Sequence, residues 1–104
     1  MTVNILGTDY NIVEDNDIKK MGYDGYCDLY KPVIKIRPTE CFLDENADEN
    51  DRELHRMSVI RHEIAHAYFK ESGMTRWCDD EDLVEWISNM LPRMIETLLE
   101  LDAI

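Results

Sequence analysis

Basic residues are scarce in this chain: 11 Lys and Arg stand against 23 Asp and Glu, a formal net charge of -12. That balance argues against a general affinity for nucleic-acid phosphates or anionic membrane, because the non-specific part of such binding is attraction to Lys and Arg. It fits solubility, a cationic partner, or mimicry of a polyanion. Cysteine is sparse as well. Cys27, Cys41 and Cys78 are odd in number, widely spaced and include no C-x-x-C pair, so neither a disulfide framework nor a thiolate zinc cage is expected. Reduced thiols in a cytoplasmic protein are the plain reading. No apolar run approaches the ~20 residues that cross a bilayer. The stretch "MTVNILGTDY" has neither the basic region nor the apolar region of a signal peptide. The expectation is a soluble, cytoplasmic protein.

What is present suffices for one modest core. With 104 residues, 44% of them apolar, residues 1–104 are expected to form a single domain. The first forty residues are rich in β-branched and aromatic side chains. "TVNIL" and "YNIVE" alternate apolar with polar around "GTD" and read as a hairpin. A short helical turn is expected around Ile18 to Met21. "GYCDLY" and "PVIKIRP" read as a second strand pair, and Pro32 and Pro38 suit an edge or short strand. Residues 39–51 are acidic and aperiodic, a loop with Asn50 or Asp51 capping the next helix. Leu54, Met57, Ile60, Ile64 and Ala67 or Tyr68 recur at helical steps to about Glu71, and Gly73 terminates that helix. Asp79 to Asp82 place acid in the first turn of a second helix reaching about Leu101, with a kink or break near Asn89 imposed by Pro92. The fold class is α+β, a small antiparallel sheet followed by two helices.

The stretch that carries chemistry is "RHEIAHAYFKESG", which contains His62, Glu63 and His66 as H-E-x-x-H. Residues at i and i+4 share one helix face, so both imidazoles can meet one ion. Glu63, about 100° further round the helix, reaches a ligand of that ion without binding it, which is the division of labour in zinc hydrolases. Random placement of this composition gives about 0.01 expected matches. The alternative is a helix whose histidines are satisfied by core hydrogen bonds. His55 lies two turns before His62, too far to share an ion with His66, and reads as a surface or partly packed residue. A catalytic zinc needs a third protein ligand. Glu81 and Glu85, themselves i and i+4, offer two carboxylates: one as ligand, the other as acceptor from a ligand histidine. Spacing does not assign which is which.

With "HEIAHAYFKESG" and "EDLVEWIS" in view, the sequence resembles the gluzincin-type metallopeptidases, most closely the small prophage-associated proteins of the ImmA/IrrE kind. The resemblance implies a minimal zincin-like domain holding one Zn2+ ion, with His62, His66 and Glu81 as ligands, Glu63 as the catalytic base and Glu85 beside the ligands. Val84 and Glu85 depart from the commonest residues of the second motif, where a small residue and Asn or Asp are usual. The implied substrate is a protein or peptide, such as a repressor or other regulatory protein of a phage or mobile element.

Three functions are open, in order of preference. The first is a zinc-dependent metallopeptidase in which Glu63 relays the proton during amide hydrolysis. The second keeps the zinc site in an interaction or regulatory module with weak or absent activity. The third is an acidic nucleic-acid mimic. For the peptidase, Tyr68, Arg61, Arg76 or a sheet tyrosine could stabilise the oxyanion. An extended substrate could add to "VIKIR" if that strand is an edge. Direct nucleic-acid or membrane binding is not expected, and oligomeric state stays open. Trp77, Trp86 and the Met-rich last helix read first as core and second as a contact surface.

Overall fold

The computed structural model describes residues 1–28 and 30–104. The chain opens with a hairpin of β1 (Thr2–Ile5) and β2 (Thr8–Glu14), paired antiparallel. Its turn is Leu6-Gly7, at φ 50° and 96°. Positive φ at both central residues is the type I′ geometry whose twist matches a hairpin. The turn therefore lies one to two residues earlier than expected: of "GTD" only Gly7 is in it, joined by Leu6, and Thr8 and Asp9 belong to the strand. Helix α1 (Asn16–Lys20) follows, capped by the Asp15 side chain. Then come β3 (Gly25–Cys27) and β4 (Val33–Ile36). The strand expected over "GYCDLY" ends at Cys27, and its Leu29 lies outside the described residues.

The fold is α+β, but the sheet is mixed rather than antiparallel. Its order is β1-β2-β4-β3, with β2 and β4 parallel and β3 antiparallel to β4. Alternation of apolar residues reports which face a side chain takes, not which way a neighbour runs, so the sequence pattern is silent on strand direction. Return through α1 and β3 brings β4 alongside β2 in the same direction. The expectation of an edge at "VIKIR" is thereby corrected: β4 is short, yet it lies in the interior. Pro32 fits there because it sits at the entrance and is used through its carbonyl, which accepts from the Asn11 N–H at 2.9 Å. The sheet edge beside the helices is β3.

A 3-10 turn (Thr39–Cys41) leads to α2 (Glu49–Glu71), the 23-residue helix that carries the motif. It starts earlier than expected because Asp48 and Asp51 form a reciprocal capping box, each side chain accepting from the other's backbone N–H at 2.7 and 3.3 Å. It stops at Gly73, φ 82°, as expected. There the N–H groups of Gly73 and Met74 reach back to the carbonyls of Lys70 and Phe69, a Schellman closure. The connector "TRWC" is a short helix, α3 (Thr75–Cys78). Helix α4 (Glu81–Glu100), capped by Asp80, runs unbroken through Pro92. The break expected near Asn89 does not occur: proline removes one N–H and crowds one carbonyl, and the helix continues on either side of that local loss.

The core gathers Ile5, Tyr10, Cys27, Ile34, Ile36 and Phe42 beneath Val59 and Ala67 of α2. The buried stripe of α2 is Val59, Glu63, His66 and Ala67, half of it polar. Leu54, Met57 and Tyr68, expected on that face, are exposed, while Ile60 and Ile64 pack at its margin. The helix is rotated so that the motif, and not its most apolar line, faces β3 and α4. Among the described residues no helix is long and apolar enough to cross a membrane.

Candidate metal centre

Three elements converge on one groove of about 510 Å³. Helix α2 forms its floor from His55 to His66, β3 and the residues before it form one wall, and the start of α4 forms the other. The ligand-type atoms of His62, Glu63 and His66 lie within 4.8 Å of one another, a group that can hold a metal ion.

Hydrogen bonds determine which ring nitrogens face inward. His66 Nδ1 meets the Cys78 carbonyl, and His62 Nδ1 meets Glu85 Oε2 at 2.7 Å. A carbonyl and a carboxylate oxygen accept, so each Nδ1 donates to its partner and each ring turns its Nε2 inward. The two Nε2 atoms are 3.2 Å apart. The Glu81 carboxylate closes over both, Oε2 at 3.0 Å from His62 and Oε1 at 3.1 Å from His66. Glu81 and Glu85 thus do different things: Glu81 faces the inward nitrogens, and Glu85 holds His62 from behind. Asn89 in turn donates to Glu85 Oε1 at 3.1 Å. Burial would raise the Glu85 pKa, but its hydrogen bonds with His62 and Asn89 outweigh that and hold it below the usual value.

Glu63 is buried beside this cluster, only 6% exposed. Desolvation pushes its pKa from 4.5 up to about 7, with the His62 charge acting in the opposite direction. Its neighbour across the interface is Gly25 of β3. A Cβ there would lie 2.7 Å from Val59 Cγ1 and 2.9 Å from Glu63 Cγ, so only glycine lets the strand approach the helix this closely. Cys27, further along β3, also lines the groove; burial and then the Glu63 charge push its thiol up to about 12, so it stays protonated.

The edge of β3 is open toward the groove. Backbone bonds from Arg37 N to Asp24 O and from Asp28 N to Val33 O, 2.9 and 3.0 Å, set the antiparallel alternation. By that alternation Tyr26 bonds to Lys35, while Gly25 and Cys27 direct their N–H and C=O groups away from β4. The far end of the groove is braced by Asp24, which takes His55 Nε2 at 2.8 Å and Arg37 Nη1 at 3.3 Å. His55 is partly packed, edge-on to Phe42, as expected, but it also lines the groove.

Of the expected oxyanion partners, only the sheet tyrosine is at the groove: Tyr26, with Tyr23 just before it. Tyr68 is exposed, Arg61 does not line the groove, and Arg76 stacks its guanidinium on Trp77 at 4.7 Å. Sequence reasoning missed Gly25, Asp24 and the Cys78 carbonyl. A glycine inside the strand pattern "DGYC" was a usable sign of close backbone approach. A backbone carbonyl that orients a histidine leaves no trace in residue identities.

In comparisons with known proteins, no family model, curated protein or solved structure matched the chain. Function is therefore to be read from the geometry of these residues.

Proposed function

We propose that this is a zinc-dependent metallopeptidase. The observation that carries the reading is a convergence of donor atoms: with both Nδ1 atoms engaged from behind, two imidazole Nε2 atoms and a carboxylate meet at 3.0 to 3.2 Å. Such a cluster is repulsive unless a cation or an added proton sits inside. Ligands at ~2.0–2.1 Å from a tetrahedral zinc stand about 3.3 Å apart, so the donor set fits after an expansion of a few tenths of an ångström. Nitrogen and carboxylate donors with no thiolate suit zinc at a catalytic rather than a structural site.

In this reading His62, His66 and Glu81 hold the ion, and Glu85 and the Cys78 carbonyl fix the tautomer and aim of the two rings. Zinc in such a site polarises a carbonyl and acidifies water. Glu63, adjacent but turned toward β3, takes the proton from the attacking water and returns it to the leaving amine. The open groups of Gly25 and Cys27 bind an extended peptide as an added strand, which positions its amide against the cluster. Tyr23 and Tyr26 supply hydroxyl donors at the same wall. A regulatory protein of a phage or mobile element is the substrate class that the motif resemblance suggests.

The test pairs metal content with cleavage. Purified protein should carry one zinc per chain, and His66→Ala should carry none. Glu63→Gln should keep the zinc but lose cleavage of a peptide library by at least ~100-fold. Zinc content unchanged in His66→Ala sinks the metal site; library cleavage unchanged in Glu63→Gln sinks the enzyme.

A further inference from the structure

Helix α4 is packed for only half its length. Val84 and Ser88 are buried against the body, and Leu83, Ile87 and Met90 are partly covered. Beyond that point Leu91, Met94, Ile95, Leu99 and Leu101 are all exposed. These residues are not scattered. Val84, Ile87, Leu91, Met94, Leu98 and Leu101 follow one another at steps of three, four, three, four and three, the a/d seam of a coiled coil. The first two positions of that seam lie where α4 meets α2 and α3, and of the last four only Leu98 is partly covered. At its near end the seam opens into an apolar cavity of about 410 Å³ lined by Phe69, Met74, Trp77, Leu83 and Ile87. The expectation that Trp86 and the last helix are core is corrected here, since Trp86 is 57% exposed.

We infer that this face pairs two copies of the chain, α4 against α4 and antiparallel. The charge pattern selects the occupant. Beside the seam stand Met90, Ile95 and Thr97, while Arg93, Glu96 and Glu100 lie on the opposite side of the helix. A cationic partner helix would need acids flanking the stripe, and there are none from Met90 to Leu98. A bilayer surface would need basic residues there, and Arg93 is the one basic residue of α4. A second copy needs neither, because uncharged flanks let two chains of net charge -12 meet along the stripe without local repulsion. The antiparallel direction puts the two acidic bodies at opposite ends of the pair. The two-fold axis then passes at Met94, midway between Ile87 and Leu101, so that Leu101 of each copy reaches the other's apolar cavity.

The test uses the full chain. Sedimentation equilibrium should give twice the 12.3 kDa chain mass. Met94→Glu, which faces two carboxylates across the axis, should raise the dimer dissociation constant by at least ~100-fold while leaving helicity and zinc content unchanged. Glu96→Lys, on the far side, should stay dimeric. With Cys41→Ser to remove the less buried thiol, Met94→Cys should cross-link on oxidation and Leu101→Cys should not. A parent that is monomeric at about 0.1 mM, or a Met94→Glu protein that remains dimeric, overturns the interface. Cross-linking through Leu101→Cys as readily as through Met94→Cys overturns the antiparallel arrangement.

Discussion

Replacing Glu63 by Gln should stabilise the metal-free protein at alkaline pH while abolishing the proposed cleavage. Glu63 lies on the buried stripe of α2, where desolvation raises its pKa from 4.5 to about 7. Below pH 4.5 the carboxyl is neutral in the folded and unfolded chain alike, and no penalty exists. Between 4.5 and about 7 the unfolded chain has released a proton that the folded chain retains, so stability falls as pH rises. Above about 7 the folded protein holds a buried carboxylate and the loss is complete. At 1.36 kcal/mol per pKa unit the loss is about 3 kcal/mol, a large part of the 5–15 kcal/mol typical of a domain. Glutamine keeps the shape and removes the ionisation, at some cost for a buried amide, leaving a net gain of about 2 kcal/mol. Urea unfolding of chelated parent and variant at pH 4.5, 6 and 8 measures this directly. The variant should lie about 1 kcal/mol below the parent at the lowest pH and about 2 kcal/mol above it at the highest. Parallel stability curves across that window would refute the buried-carboxylate argument. The direction is the one expected if Glu63 serves the proposed chemistry at the expense of stability.

Other consequences are as concrete. Gly25→Ala places a methyl 2.7 Å from Val59 Cγ1 and 2.9 Å from Glu63 Cγ, and should lower stability by about 1–3 kcal/mol, read from the urea midpoint. Leu6→Asn relieves a left-handed leucine in the type I′ turn, and should raise stability by about 1 kcal/mol in thermal unfolding. Glu85→Ala leaves His62 Nδ1 unheld, and competition against a chelator should show zinc affinity weaker by about 10- to 100-fold. Glu81→Ala removes a group that touches both Nε2 atoms, and should weaken zinc binding further than Glu85→Ala in the same assay.

The centre of the molecule was legible because its signals are local. Residues four apart on a helix share a face whatever surrounds them, so His62 and His66 declared their common aim before any fold was known. Gly73 marked a helix end by the same logic, since a left-handed closure is a property of a few neighbouring residues. The α+β class and the second helix followed from periodicity.

Beyond the reach of the sequence were relations between segments far apart in it. The parallel pairing of β2 with β4, and hence the placing of the open edge on β3, depends on how the chain returns after α1, which no side-chain pattern records. The face of α2 that turns inward was chosen by β3 and α4 closing on it, at the expense of Leu54 and Met57. The separate placing of Glu81 and Glu85 required the distance between α2 and α4: one turn along α4 moves a carboxylate from the inward nitrogens to the back of His62. Sequence by itself determined that two imidazoles and a carboxyl share a helix. Tertiary structure decided which nitrogens face each other, what holds them, and that an unbroken α4 leaves half its apolar seam uncovered.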